Sequence, residues 1–270
     1  MAQDVESLGC RLVVDRNSAT WTLTEEKRQK WSSEISSALD AGELGSEEAG
    51  RFAGRLMFGA QRVFGRVGRA ALRPLFIRQG QPHRRRLASR LRCALRWWLE
   101  YLSTNPQQTA RPRPSSQQPE WCLYTDAEST GHVGAVLVRV ADGRMWHLEA
   151  QTPRCIRKAL LCRETQIIAH EAAAVVVGLA TFGRWMAGQR AVLFVDNQPV
   201  LNMLIKGWSR SEDTNDLVDW CWMQLATLGI DGQFEYVASK ANIADGPSRR
   251  DISLLKELGS TECVAEWRVH

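Results

Sequence analysis

The sequence predicts an α/β fold: a mixed five-stranded sheet flanked by helices, preceded by an all-α, arginine-rich region that opens on a short β-hairpin. Three observations carry this. Residues 121–149 hold three apolar runs separated by short polar turns. Ala191-Val-Leu-Phe-Val195 is a continuous apolar run, the pattern of a strand buried on both faces. Stretches of helical periodicity follow both segments, long enough to be crossover helices.

Composition narrows the class. The 270 residues are 44% hydrophobic, enough for a core in one large domain or two modest ones. The seven cysteines are odd in number and form no C-x-x-C pair, which argues against a disulfide framework and a structural zinc site. Asp4 and Glu6 precede any apolar run, so no signal peptide is expected at this N-terminus. The most apolar stretch, 172–182, is too short to span a bilayer. The expected setting is intracellular, cytoplasmic or nuclear, with no membrane partner. Net charge is +5, unevenly spread. Residues 51–100 hold thirteen arginines, no lysine and one acid, leaving the remainder of the chain net negative. Such asymmetry points to a polyanion contact.

The elements follow in order. Residues 8–14 and 20–23 flank the turn Asp15-Arg-Asn-Ser18 as a hairpin. Thr22 or Thr24 before Glu25-Glu26 starts a helix that carries Trp31, Ile35 and Leu39 and ends at Gly42. Ser46-Glu-Glu opens a longer helix, expected to run towards Pro74. On it, Arg51, Arg55, Arg62, Arg66, Arg69 and Arg73 would fall within an arc of about 60°. With no acid on that helix beyond Glu47 and Glu48 at its start, a nucleic-acid phosphate is the favoured partner over a solvated face. A third helix spans about 84–101, with Leu87, Leu91, Ala94, Leu95 and Trp98 inward. Arg84-Arg-Arg86 would sit at its start, where the helix dipole disfavours cations and an anion would relieve them. Residues 105–119, rich in Pro and Gln, read as a linker between a region 1–104 and a domain 120–250, with a tail 251–270.

In the second domain, strands at 121–126, 133–140 and 144–149 form a meander, with Asp142-Gly143 in its second turn. A helix at about 164–186, a strand at 191–195, helices at 199–206 and 211–228, and a strand at 233–237 complete the pattern.

Four acids stand at telling places. Asp126 ends the first strand and Asp196 the fourth. If those strands are parallel neighbours, both carboxylates emerge at the carboxyl ends, where open α/β sheets place their sites. Glu171 lies among apolar and small residues in the crossover helix, and Asp245 follows the last strand. Each has an ordinary reading alone: a turn for Asp126, a cap for Asp196 with Asn197, a pair with Arg163 for Glu171, a turn before Gly246-Pro247 for Asp245. Together, converging acids repel unless a cation neutralises them. All-oxygen ligation suits Mg²⁺ or Mn²⁺. Two such ions about 3.5–4 Å apart can serve phosphodiester hydrolysis.

Tyr124-Thr-Asp126-Ala, Gln166 with Glu171, Phe194-Val-Asp196-Asn and Ser239-Lys-Ala-Asn-Ile-Ala-Asp245-Gly-Pro-Ser-Arg249 resemble the motifs of the ribonuclease H domain of retroelement reverse transcriptases. The resemblance covers about half the chain. It implies a ribonuclease H-like fold, hydrolysis of the RNA strand of an RNA·DNA hybrid, and two Mg²⁺ held by Asp126, Glu171, Asp196 and Asp245, giving 5′-phosphate and 3′-hydroxyl ends. Ser129, Thr130, Gln166 and Asn197, by position near the acids, are candidates to read 2′-hydroxyls. The hairpin after Leu8-Gly9 is similar to the end of a reverse-transcriptase palm, and the arginine-rich helices to thumb and connection. Gly50-Arg-Phe-Ala-Gly-Arg-Leu56 and Arg69-Ala-Ala-Leu-Arg-Pro-Leu75 are similar to stretches of DIRS-like, tyrosine-recombinase retroelements, within the LTR-type kind. No Tyr-x-Asp-Asp motif occurs, so polymerisation is not expected and a separate polymerase portion is a candidate partner. Ser239-Lys240 stands where many relatives carry a His, and Glu128 where a small residue is common. His132 and His170 receive no role. Two other readings remain: a nucleic-acid-binding module of this fold with little or no catalysis, and another nuclease or transposase with a different duplex preference.

Overall fold

In a computed structural model, residues 3–110 and 118–266 are described. The chain divides into two compact units, Met1–Ser115 and Ser116–His270.

The first unit is not all-α before its linker. Four antiparallel strands, β1 (Gln3–Ser7), β2 (Cys10–Val14), β3 (Ala19–Leu23) and β4 (Gln107–Ala110), form a sheet in that order. The expected hairpin is its centre, where Asp15 closes the turn by accepting from the Asn17 and Ser18 N–H groups. β1 escapes periodicity because its residues are exposed and only Val5 is apolar. Leu8 and Gly9, both at positive φ, turn it onto β2, and Lys27 Nζ donates to the Leu8 carbonyl at 2.5 Å. β4 lies inside the expected linker. Its Gln-Gln-Thr-Ala sequence has no hydrophobic pattern, and pairing with β3 alone makes it a strand. Residues 111–117 of that linker lie outside the described residues.

Helices α1 (Glu25–Ala41), α2 (Ser46–Arg62), α3 (Arg73–Gln79) and α4 (Ser89–Ser103) bury Trp31, Ile35, Leu56, Leu75, Leu95 and Trp98. The six-arginine arc does not form. α2 stops at Arg62, and Gly65, Arg66 and Gly68 take left-handed conformations that redirect the chain. Gly68 is also pressed against an aromatic ring: a Cβ there would lie 2.4 Å from Trp98. Arg66, Arg69 and Arg73 therefore leave the face shared by Arg51, Arg55 and Arg62, and Arg55 pairs with Glu34 of α1. Arg84-Arg-Arg86 is also not at a helix start. Arg86 bridges to Glu43 in extended backbone, and α4 begins three residues later. Arg78 is buried and donates to the Leu44 and Arg86 carbonyls, so it clasps this segment.

The second unit carries a six-stranded mixed sheet in the order β10-β7-β6-β5-β8-β9. β5 (Trp121–Ala127), β6 (His132–Arg139) and β7 (Met145–Gln151) form the antiparallel meander. β8 (Arg190–Val195) and β9 (Asp231–Tyr236) add in parallel beside β5. This is the mixed sheet expected from the sequence pattern, with its helices on the faces. The sixth strand, β10 (Thr261–Glu262), comes from the expected tail and pairs with β7; two residues are too few to carry a sequence pattern.

A short α5 (Arg154–Ala159) precedes α6 (Ile167–Phe182), the crossover helix, which is buried along nearly its whole length. α6 lies close on the sheet because Gly178 has no side chain: a Cβ there would meet Thr125, Leu123 and Ala135 at 3.2–3.4 Å. α7 (Gln198–Lys206) and α8 (Glu212–Thr227) follow, and α9 (Asp245–Ser248) and α10 (Ser253–Glu257) close over Val136. Among the described residues, no helix is long and apolar enough to cross a membrane.

Candidate active site

Strand register builds the site. β5 and β8 are parallel, with Tyr124 opposite Phe194. Asp126 and Asp196 lie two residues beyond those partners and so emerge side by side at the carboxyl ends. Asp196 does not cap α7. Asn197 does, its Oδ1 accepting from the Val200 N–H at 3.3 Å. Glu171, in the second turn of α6, reaches the same point. Its Arg163 pairing does not occur: Arg163 bonds Asp213 at 2.5 Å. Each of Asp126, Glu171 and Asp196 places a carboxylate oxygen within 4.8 Å of the others'.

Asp245 stands apart from this trio. It opens α9, and its Oδ1 accepts from Arg249 Nε at 2.8 Å. Its charge still reaches Asp126.

Burial makes the cluster electrostatically costly. Asp126 and Glu171 are each only 6% exposed. Burial pushes Asp126 up to about 6; the Ser248 hydroxyl opposes the rise, and Asp196 and Asp245 add to it. Burial pushes Glu171 up to about 9, reinforced by the charges of Asp126 and Asp196. Glu171 Oε2 and Asp196 Oδ1 are buried and have no hydrogen-bond partner. Buried acceptors without donors are rare. Three carboxylates whose hard oxygens gather around one point, two of them carrying a buried oxygen without a donor, fit a divalent cation such as Mg²⁺ or Mn²⁺.

The other candidates are placed as follows. Ser129 and Thr130 lie exposed in the β5–β6 turn, where Thr130 donates to Glu128 at 2.8 Å. Glu128 is therefore occupied and lies outside the trio. Gln166 precedes α6; its amide donates to the Leu161 carbonyl, and its oxygen accepts from Arg163. His170 is buried, with Nδ1 3.2 Å from the Thr152 hydroxyl.

Three residues escaped the sequence reading. Ser248, fully buried, donates its hydroxyl to Asp126 Oδ2. Asn242 donates to the Thr125 carbonyl at 3.0 Å and ties the Asp245 loop to β5. Gly134, opposite Asp126, admits the α9 backbone. The first two lie inside the Ser239–Arg249 motif, but nothing in a linear sequence says which of its residues turn inward.

No protein-family model matches the chain, and no curated protein matches it. Among solved structures it is similar to the N-terminal RNase H domain of Rv2228c from Mycobacterium tuberculosis, a maltose-binding-protein fusion, at 16% identity over 49% of this chain and 98% of that one (TM-score 0.38). It is similar to RNase H1 of the archaeon Halobacterium salinarum at 17% identity over 50% and 96% (TM-score 0.36). It is also similar to the foamy viral protease-reverse transcriptase dRH in complex with double-stranded DNA, at 12% identity over 87% of this chain but 38% of that one (TM-score 0.29).

Proposed function

We propose that the second unit is a divalent-metal-dependent endoribonuclease that hydrolyses the RNA strand of RNA·DNA hybrids. The observation that carries this is the trio Asp126, Glu171 and Asp196 meeting within 4.8 Å at the carboxyl ends of parallel strands, with two orphaned oxygens. Those three would hold the ions, with Asp245 beside them as a fourth acid able to join. Two Mg²⁺ or Mn²⁺ would activate a water and neutralise charge on the leaving oxygen of a phosphodiester. The protein fixes the carboxylates on strand ends and a buried helix, so no side-chain ordering is left to the moment of reaction. Of Ser129, Thr130, Gln166 and Asn197, the exposed Ser129 and Thr130 would meet a sugar edge most readily, which is how hybrid would be told from DNA.

The motif resemblance around Asp126, Asp196 and Asp245 supports an origin in a retroelement reverse transcriptase, of the DIRS-like or LTR type. Residues 1–104, together with β4, then correspond to the palm end with thumb and connection, the rest of 105–119 to a linker, 120–250 to the nuclease and 251–270 to its tail. Arg51, Arg55, Arg62, Arg66, Arg69 and Arg73 remain candidates for phosphate contacts, now as two groups rather than one stripe, and the missing polymerase portion remains a candidate partner.

The test is direct. The full chain is incubated with end-labelled RNA·DNA hybrid and Mg²⁺, beside Asp126→Asn and an EDTA control. Cleavage of the RNA strand that both abolish supports the nuclease. Salt-sensitive binding without cleavage supports a binding module of the same fold, and cleavage of duplex DNA in preference to hybrid supports a different nuclease.

A further inference from the structure

We propose that Ser248 is a positioning residue for the Asp126 carboxylate. The inference rests on reading Asp126 as a cation ligand and adds the group that holds it. Ser248 has no exposed surface. Its hydroxyl reaches Asp126 Oδ2 from α9, 122 positions along the chain, and also lies 2.9 Å from the Asp245 carbonyl oxygen. A hydroxyl has one proton to give. Of the two acceptors only Asp126 can be ionised, and a charge-assisted bond is the stronger. The carboxylate retains other lone pairs for a cation.

The backbone holds this hydroxyl in place from two sides. On one side α9 lies directly on Gly134, the cross-strand partner of Asp126. A Cβ at Gly134 would stand 2.4 Å from the Ser248 nitrogen and 2.7 Å from the Ala244 carbonyl oxygen. On the other, Asn242 bonds both β5, through the Thr125 carbonyl at 3.0 Å, and its own loop, through the Ala244 N–H at 3.2 Å. The hydroxyl therefore has little freedom, and the Asp126 rotamer is set before any ion arrives. The loop that carries Asp245 thus also orients Asp126, which joins two of the acids mechanically.

Outer groups that orient metal ligands typically contribute about 10–100-fold in metal affinity. The experiment is a Mn²⁺ titration of the full chain, free ion read by electron paramagnetic resonance, for wild type, Asp126→Asn, Ser248→Ala and Ser248→Cys. Thermal midpoints are measured in EDTA alongside. The expected result is that S248A keeps its melting point in EDTA within a few degrees and binds Mn²⁺ about tenfold more weakly, with S248C in between as a weak donor of similar size. If D126N loses binding while S248A binds as the wild type does, Ser248 is only a packing residue and the inference is overturned. Should S248A fail to fold, S248C decides: affinity equal to wild type overturns the inference, and a several-fold loss supports it. If wild type does not bind Mn²⁺, or D126N leaves binding unchanged, the carboxylate reading falls and takes this one with it.

Discussion

Asp126 and Asp196 are neighbours because Tyr124 and Phe194 are register partners: the two rings stack at 4.7 Å, and each acid follows its ring by two residues in parallel strands. A slip of one residue in that register would reverse every side chain of one strand. The core residues Leu123 and Leu193, also partners, forbid it, so burial fixes the acid pair.

Replacing Asp126 by Asn keeps the shape and removes a ligand charge. Hybrid cleavage in Mg²⁺ is expected to fall by about three orders of magnitude, equivalent to a loss of several kcal/mol of transition-state stabilisation. Single-turnover cleavage of a labelled hybrid measures it. Circular dichroism should be unchanged.

The pH dependence follows from the raised carboxyls. Glu171 is pushed up to about 9 and Asp126 to about 6, in both cases first by burial. In the unfolded chain both return to about 4. Between about pH 4 and 9 the folded state therefore holds more protons than the unfolded state, and stability in EDTA falls as pH rises. Glu171→Gln removes the larger share. At pH 8 without divalent ions this variant should be more stable than wild type by on the order of 3 kcal/mol. Mg²⁺ should stabilise wild type more at pH 8 than at pH 5. Urea melts at pH 5, 6.5 and 8, with and without the ion, check both. A wild-type stability that holds level across that range in EDTA would contradict the expectation.

Gly134→Ala tests the seat of α9. The added Cβ would stand 2.4 Å from the Ser248 backbone nitrogen, which cannot yield as a flexible side chain could. Overpacking of this kind costs about 1–3 kcal/mol. The displaced α9 should also weaken Mn²⁺ binding, whereas Gly143→Ala, in the exposed β6–β7 turn, should pay only for its positive φ and leave the ion affinity untouched.

Asp213 is the most fully satisfied acid of the unit. It is buried and accepts from Arg163, Ser211 and the Leu161 and Thr214 N–H groups. Those donors outweigh its burial and hold its carboxyl well below the usual range. Its contribution is present at neutral pH and is lost as pH falls through that lowered value. Asp213→Asn should cost about 2–3 kcal/mol at pH 7, read by urea denaturation, and less in acid.

The basic region has its own readout. Each phosphate contact contributes about 0.9 to the slope of log K against log salt on duplex DNA. Arg51→Gln with Arg62→Gln should lower the slope by up to about twice that, with no change in sequence preference. An unaltered slope would remove α2 from the interface.

Hydrophobic pattern made the meander, the buried strand β8 and the long helices legible, because burial on one or both faces leaves a period in the residues themselves. The acids at the strand ends were legible for the same reason, since each interrupts an apolar run. The six-arginine stripe was misread because angular spacing assumes an unbroken helix. Gly65, Arg66 and Gly68 break it, and at Gly68 the Trp98 ring leaves no room for a Cβ. β1 and β4 were invisible, since strands made by pairing alone need no hydrophobic pattern. What the sequence by itself determined is the order of the elements that carry a hydrophobic pattern and the positions of Asp126, Glu171 and Asp196 within them. Which oxygens meet, that Arg163 takes Asp213 rather than Glu171, and that Ser248 turns inward onto Asp126 were decided only by tertiary structure. Those contacts join residues 25 to 122 positions apart, and no local property of the chain encodes a distance across the fold.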